Sequence, residues 1–80
     1  MKAARHRLVG YDRQTESEKF ELPIPEPMFG EVRTVVRFDD DDRDAIGCYE
    51  LTDGQAHQIA TMVRRTLPTG LDFFLEAYAP

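Results

Sequence analysis

Alternation of hydrophobic and polar side chains predicts a β-hairpin at the start of the chain. In KFELPIP, every second side chain is apolar, namely Phe20, Leu22 and Ile24. The preceding RLVGYD, residues 7–12, favours a pleated strand, in which Gly10 marks a bulge or a weak point. The polar DRQTESE between the two predicts the loop. Because Pro23 and Pro25 cannot donate to a ladder, we expect the second strand to lie at a sheet edge or to end there.

The segment PEPMFGEVRTVVRF, residues 25–38, fits either a helix or a strand. As a strand, its alternation is broken at Val35. As a helix, five apolar side chains share an arc of about 120°, namely Met28, Phe29, Val32, Val35 and Val36. Pro27 suits a first helical turn, whereas Gly30 and the β-branched residues oppose a helix. The periodicity leaves both interpretations open.

The clearest helix is TDGQAHQIATMVRRTLPTG, residues 52–70. Thr52 and Gln55 have the spacing of a capping box. Its apolar stripe consists of Ala56, Ile59, Ala60, Val63 and Leu67, and Pro68 ends it. IGCYEL before it predicts a short strand, and DFFLEAYA after it predicts a final strand with aromatic residues on both faces.

These elements predict an α+β fold: a small single-layer sheet with one or two helices in the order β-β-α-β-α-β. If residues 31–38 form a strand, the alternative is five strands and one helix. Eighty residues suffice for a single domain, 1–80. A crossover around residues 53–67 would be right-handed if its flanking strands were parallel.

Composition and charge argue against several classes of function but identify none. The net charge of −5 and the absence of a dense basic cluster disfavour nucleic-acid binding. No apolar run approaches 18 residues, so we expect no membrane span, and no signal-peptide core follows the basic start. With a single cysteine, an internal disulfide is impossible and a cytoplasmic location is expected.

The run RFDDDDRD, residues 37–44, is the most charged segment. A calcium loop beginning at Asp39 would need an oxygen ligand at its fifth position and glycine at its sixth, where this chain has Arg43 and Asp44. The motif fails, so no metal site is predicted. The run is interpreted as a solvated connector or as a partner-facing acidic patch.

Catalytic and cofactor chemistry find little support in the sequence. Cys48 lies in a short predicted strand, without a helix N-terminus to activate its thiolate, so we expect it in the core. His57 is expected at the surface, and His6 has no visible partner. Glu16, Glu18, Glu21 and Glu76 are explained as ordinary surface positions. We therefore predict no catalytic residue and no cofactor.

Aromatic residues are a stronger lead than the carboxylates alone. Tyr11, Tyr49, Phe74 and Tyr78 fall on predicted strands of one sheet. If the helices cover only one face, some of these rings lie open beside acidic residues. An aromatic patch with an acidic rim is suited to a basic protein partner, but the rings could equally be covered by a helix or by a second copy.

Several short motifs together resemble a family of small uncharacterised bacterial proteins. They are YDRQTE and ELP in the hairpin, YELTDGQA at the capped helix, and DFFLEAY at the end. The resemblance covers nearly the whole chain and favours a helix over residues 26–37, although PMFGEVRTVV is richer in valine than the family's helix. It carries no established activity. The size and charge are similar to those of immunity proteins that neutralise toxins.

The leading hypothesis is a non-enzymatic module that masks a basic protein surface, in its sharpest form an immunity or antitoxin protein. The candidate partner-binding residues are Asp39, Asp40, Asp41, Asp42 and Asp44, with Tyr49 as an anchor. Electrostatic steering would speed the encounter. The alternative is a small homodimeric structural or housekeeping domain. An enzyme that uses Cys48 is the least favoured hypothesis.

Overall fold

Four strands and two helices follow one another in the computed structural model, which describes residues 5–42 and 47–78. The strands are β1 (Arg5–Asp12), β2 (Glu18–Ile24), β3 (Tyr49–Leu51) and β4 (Leu71–Tyr78). A 3₁₀ turn, Glu26–Met28, leads into α1 (Phe29–Val35), and α2 is Asp53–Met62. The predicted α+β order is confirmed, and the ambiguous middle segment is a helix rather than a fifth strand.

The sheet is antiparallel throughout, in the order β2-β1-β4-β3. β1 pairs with β2 through the predicted hairpin and with β4 along its whole length, so the two ends of the described chain meet at the centre of the sheet. β2 lies at an edge, as expected from Pro23. Because β3 and β4 pair antiparallel, the condition for a right-handed parallel crossover is not met.

The hairpin loop is closed by Asp12. Its Oδ1 accepts hydrogen bonds from the backbone N–H groups of Gln14 (2.8 Å) and Thr15 (3.0 Å). Glu16 then adopts φ 60°, in the left-handed region that favours glycine, and donates its N–H to the carbonyl oxygen of Asp12 at 2.8 Å. The predicted irregularity at Gly10 is confirmed as a shift in register between Gly10 and Tyr11.

Both helices pack on one face of the sheet. The core includes Leu8, Leu22, Val32, Ile59 and Leu75, all at most 4% exposed. In α1, Val32 is fully buried, and Val36 follows it into the core. Neither α1 nor α2, the two helices of the described residues, lies on the other face of the sheet.

The capping box of α2 is confirmed. Thr52 Oγ1 accepts from the N–H of Gln55 at 3.1 Å, and Gln55 Oε1 accepts from the N–H of Thr52 at 2.9 Å. Gln55 Nε2 also donates to the carbonyl of Val35 at 3.1 Å, which ties the start of α2 to the end of α1.

The end of α2 differs from the prediction. The helix stops at Met62 rather than extending to Leu67, because Arg64 adopts φ 58°. The N–H of Arg65 bonds to the carbonyl of Ala60, and that of Arg64 to Thr61, which is the Schellman pattern of a helix C-terminus. Leu67 is nevertheless buried, and reaches the core from the following loop.

Two side chains lie elsewhere than predicted. His6 is 6% exposed, and its ring stacks on Phe29 with a centroid distance of 3.9 Å, so the expectation that it has no partner was wrong. Cys48 is exposed rather than in the core, because it precedes β3 and lies on the opposite side of the sheet from Tyr49. His57 is exposed, as predicted.

Candidate functional site

The aspartate run forms a loop whose last described carboxylate faces inward. Asp39, Asp40 and Asp41 are exposed, whereas Asp42 is half-buried. Asp42 Oδ2 accepts hydrogen bonds from the hydroxyl of Tyr49 and, at 2.9 Å, from the N–H of Gly47. Asp42 therefore closes the loop, while the other three carboxylates face solvent. Asp44 lies outside the described residues.

Tyr49, predicted as an anchor for a partner, is half-buried on the helix side of the sheet. Its ring packs edge-on against Phe38 with a centroid distance of 4.9 Å. The hydrogen bond to Asp42 raises the pKa of Tyr49 above its ordinary value. Ring and hydroxyl are both engaged within the chain, so Tyr49 holds the loop against the core.

The charge around this loop is mixed rather than uniformly acidic. A shallow depression of approximately 390 Å³ beside it is lined by Arg33 and Arg37 as well as by Asp39, Asp40 and Asp42. The Arg33 guanidinium lies 5.1 Å from the centroid of Phe38. Two guanidinium groups at this position weaken the field that the aspartates present to a basic surface.

The second candidate surface is the side of the sheet on which no helix of residues 5–42 and 47–78 lies. We call it the helix-free face; it consists of Arg5, Arg7, Val9, Tyr11, Glu21, Pro23, Cys48, Glu50, Asp72, Phe74, Glu76 and Tyr78. Strand pairing places these residues on one side of the sheet, and Cys48 joins them by alternation because it lies two residues before Glu50. Of the four aromatic residues singled out in the sequence, three lie half-buried on this face, and Tyr49 does not.

A charged network crosses the centre of the helix-free face. The Arg7 guanidinium bonds to Glu21 at 2.8 Å and to Glu76 at 3.2 Å, and Glu18 lies 3.9 Å away. The Tyr11 hydroxyl donates to Glu76 Oε2 at 2.7 Å. This hydrogen bond to a carboxylate, with partial desolvation, raises the pKa of Tyr11 to about 12.

Aromatic side chains surround that network. Tyr11 and Phe74 meet edge to face, with centroids 5.6 Å apart and planes at 75°. The guanidinium of Arg7 lies 5.7 Å from the centroid of Tyr78. Val9, which pairs with Phe74 and Glu21, is fully buried although no helix covers this side. The side chains of the face therefore form a packed layer over the middle of the sheet.

A groove of approximately 340 Å³ opens beside this layer. It is lined by Tyr11, Asp12, Arg13, Glu16, Cys48, Asp72, Phe74 and Glu76. Arg13 bonds to Asp72 at 3.0 Å, which neutralises one of the four carboxylates. The N–H groups of Thr15 and Gln14 hold the pKa of Asp12 below its ordinary value, so this carboxylate remains charged at neutral pH.

Cys48 carries the single thiol of the chain, and its surroundings disfavour the thiolate form. Its Sγ lies 3.9 Å from Glu76 Oε2. Partial desolvation, together with the negative charge of Glu76, raises the pKa of the thiol. Cys48 is therefore protonated at neutral pH and a weak nucleophile.

Neither metal binding nor a membrane span is indicated in the part of the chain that the structure describes. Within residues 5–42 and 47–78, no three histidine, cysteine, aspartate or glutamate side chains come together as metal ligands. None of the helices described is long and apolar enough to cross a bilayer.

Sequence reasoning did not predict that two glutamates of the helix-free face form ion pairs with the same arginine. Glu21 and Glu76 were explained as separate surface residues, yet both bond to Arg7. The pairing depends on which strands are neighbours, and the chain order β1-β2 gives no sign that β4 lies on the other side of β1. For Cys48 the signal was present, since alternation from the apolar Leu51 already places it with Glu50.

The comparisons with known proteins bear on the family alone. No curated protein and no solved structure matches the chain. Residues 5–76 match the family described as a domain of unknown function (DUF7683), which confirms the resemblance to uncharacterised proteins, and the chain therefore belongs to this family.

Proposed function

We propose that this chain is a non-enzymatic module that binds a basic protein partner through the helix-free face. The observation that carries the proposal is the combination of three half-exposed rings with a surplus of carboxylates on a sheet face that no helix covers. Aromatic anchors with a charged rim are typical of protein interfaces, and a carboxylate surplus selects a basic partner.

The aspartate loop is the weaker of the two candidate surfaces. Asp42 and Tyr49 hydrogen-bond to each other, and Arg33 and Arg37 lie beside the exposed aspartates. Asp39, Asp40 and Asp41 then contribute to the long-range field that steers a basic partner toward the chain. A contact role for this loop is tested below with a charge-matched variant.

The sharpest form of the proposal is an immunity or antitoxin protein that masks a basic toxin surface in the cytoplasm. Small size, the net charge of −5 and a single exposed thiol suited to a reducing compartment support it. A homodimeric structural role is the alternative. Stacking two helix-free faces would bring like charges together, which disfavours that dimer.

The test is affinity capture from lysate of the native cell, followed by reconstitution with the purified captured protein. Wild type is compared with two variants that remove the same number of charges. Glu16→Gln/Glu50→Gln alters the helix-free face and its groove, and Asp40→Asn/Asp41→Asn alters the loop. None of these four side chains forms an ion pair among the described contacts, so both variants should fold normally.

We expect a basic protein that binds wild type and the loop variant but is lost from the face variant. Retention by the face variant and loss from the loop variant would instead assign the interface to the aspartate run. Capture of no basic protein, or equal capture by all three proteins, would overturn the proposed function.

A further inference from the structure

We infer that the groove beside Tyr11 and Phe74 receives an arginine side chain of the partner. The inference rests on the proposed function, since it names the group by which a basic protein is recognised. The groove is lined by two aromatic rings and four carboxylates, of which Arg13 neutralises only Asp72. An apolar floor with an acidic rim is complementary to a long side chain that ends in a cation.

The chemistry of the same face favours arginine over lysine. It already holds the chain's own Arg7, whose guanidinium bonds to Glu21 and Glu76 and lies over the ring of Tyr78. Arg13 is held beside it by Asp72. A planar guanidinium can lie flat on a ring while its fixed fork of N–H donors forms bidentate bonds to a carboxylate, whereas an ammonium group binds as a compact point charge.

Two carboxylates remain for an incoming guanidinium. Glu76 is engaged by Arg7 and Tyr11, and Asp72 by Arg13. Asp12 uses Oδ1 to close the hairpin loop, and its carboxylate lines the groove without an ion-pair partner among the described contacts. Glu16 is exposed and lines the groove. The guanidinium would therefore bond to Asp12 and Glu16, with its plane against Phe74.

Glu16 offers a test that separates binding from folding, because its backbone conformation favours glycine over glutamate. At φ 60°, glycine would fit without strain, so Glu16→Gly should raise the melting temperature while removing the carboxylate from the groove. A variant that is more stable but binds less well separates a loss of binding from a loss of folding.

The probe is acetyl-arginine N-methylamide, titrated at low salt into the isotope-labelled full chain and followed by NMR. Its lysine and citrulline counterparts are the controls; citrulline keeps the shape of arginine but lacks its charge. We expect saturable shifts of the amide signals of Tyr11, Glu16, Cys48 and Phe74. Binding should be weaker for lysine, and about tenfold weaker for citrulline.

Glu16→Gln and Glu16→Gly should each weaken arginine binding by about threefold to tenfold, whereas Asp40→Asn/Asp41→Asn should leave it unchanged. Equal binding of citrulline or lysine, shifts confined to another surface, or full binding by the Glu16 variants would overturn the inference. The arginine titration could fail while the Glu16→Gln/Glu50→Gln variant still loses the captured partner. In that case only the arginine groove is wrong, and the proposed function stands.

Discussion

Arg64 holds a backbone conformation that suits glycine better than arginine. It occupies the left-handed position that ends α2, with φ 58°, and its side chain is exposed. Replacement by glycine relieves the steric cost of this conformation without removing a core contact. The same feature explains why α2 is shorter than its apolar stripe predicts, since no residue type in TMVRRTL marks a C-terminus.

Arg64→Gly should therefore increase the free energy of unfolding by about 0.5–1 kcal/mol, measured by urea denaturation. Arg65→Gly is the control, because it removes the same charge from the adjacent residue, whose φ is not positive. That variant should be neutral or destabilising. Destabilisation by Arg64→Gly would show that the helix does not end at this position.

The phenol of Tyr11 makes the free energy of unfolding depend on pH in the alkaline range. Its pKa of about 12 lies above the ordinary value of 10.0, so the folded chain holds the phenolic proton more tightly than the unfolded chain does. The resulting stability is complete below pH 10 and is lost as the pH rises toward 12. Tyr11→Phe removes both the hydrogen bond to Glu76 and this dependence.

We expect Tyr11→Phe to lower the free energy of unfolding by about 1 kcal/mol near neutral pH. The difference from wild type should shrink as the pH rises above 10. Titration by ultraviolet absorbance should show a phenol that ionises near pH 12 in wild type and is missing from the variant. Loss of a phenol that ionises near pH 10 rather than near pH 12 would contradict the bond between Tyr11 and Glu76.

Among the elements, β1 depends on a glycine where it crosses the core. A Cβ at Gly10 would lie 2.8 Å from Leu71 Cδ1 and 3.1 Å from Phe73 Cε1. Gly10→Ala should therefore destabilise the chain by about 1–3 kcal/mol, measured by urea denaturation. Gly30→Ala, in α1, is the control: its Cβ meets nothing within 4 Å and should be neutral or stabilising. Equal stability of the two variants would contradict this packing.

The elements differ in how far the sequence predicts them. The hairpin, the capping box and β4 follow from local patterns, because turn residues and periodicity determine them. Residues 29–35 do not, since Val32 in α1 and Val36 just after it are buried, and the two would also lie on one face of a strand. Strand neighbours are a tertiary property, so the network around Arg7 could not be predicted from chain order.

For the whole molecule, binding of a partner through the helix-free face requires that this face be open in the free protein. Light scattering should therefore give the monomer mass of 9.2 kDa at micromolar concentration. Surplus carboxylates on this face oppose stacking of two copies, and Pro23 limits pairing through the β2 edge. A dimer whose affinity changes in the Glu16→Gln/Glu50→Gln variant but not in the Asp40→Asn/Asp41→Asn variant would place a second copy on this face and favour the homodimeric alternative.

The most direct test of the helix-free face as the binding surface is the dissociation constant of the captured basic protein. It is measured by calorimetry for wild type and for the two charge-matched variants at low and at physiological salt. Glu16→Gln/Glu50→Gln should weaken binding about tenfold or more, whereas Asp40→Asn/Asp41→Asn should have a smaller effect that physiological salt removes. Equal affinities for wild type and the face variant, at both salt concentrations, would contradict binding through the helix-free face.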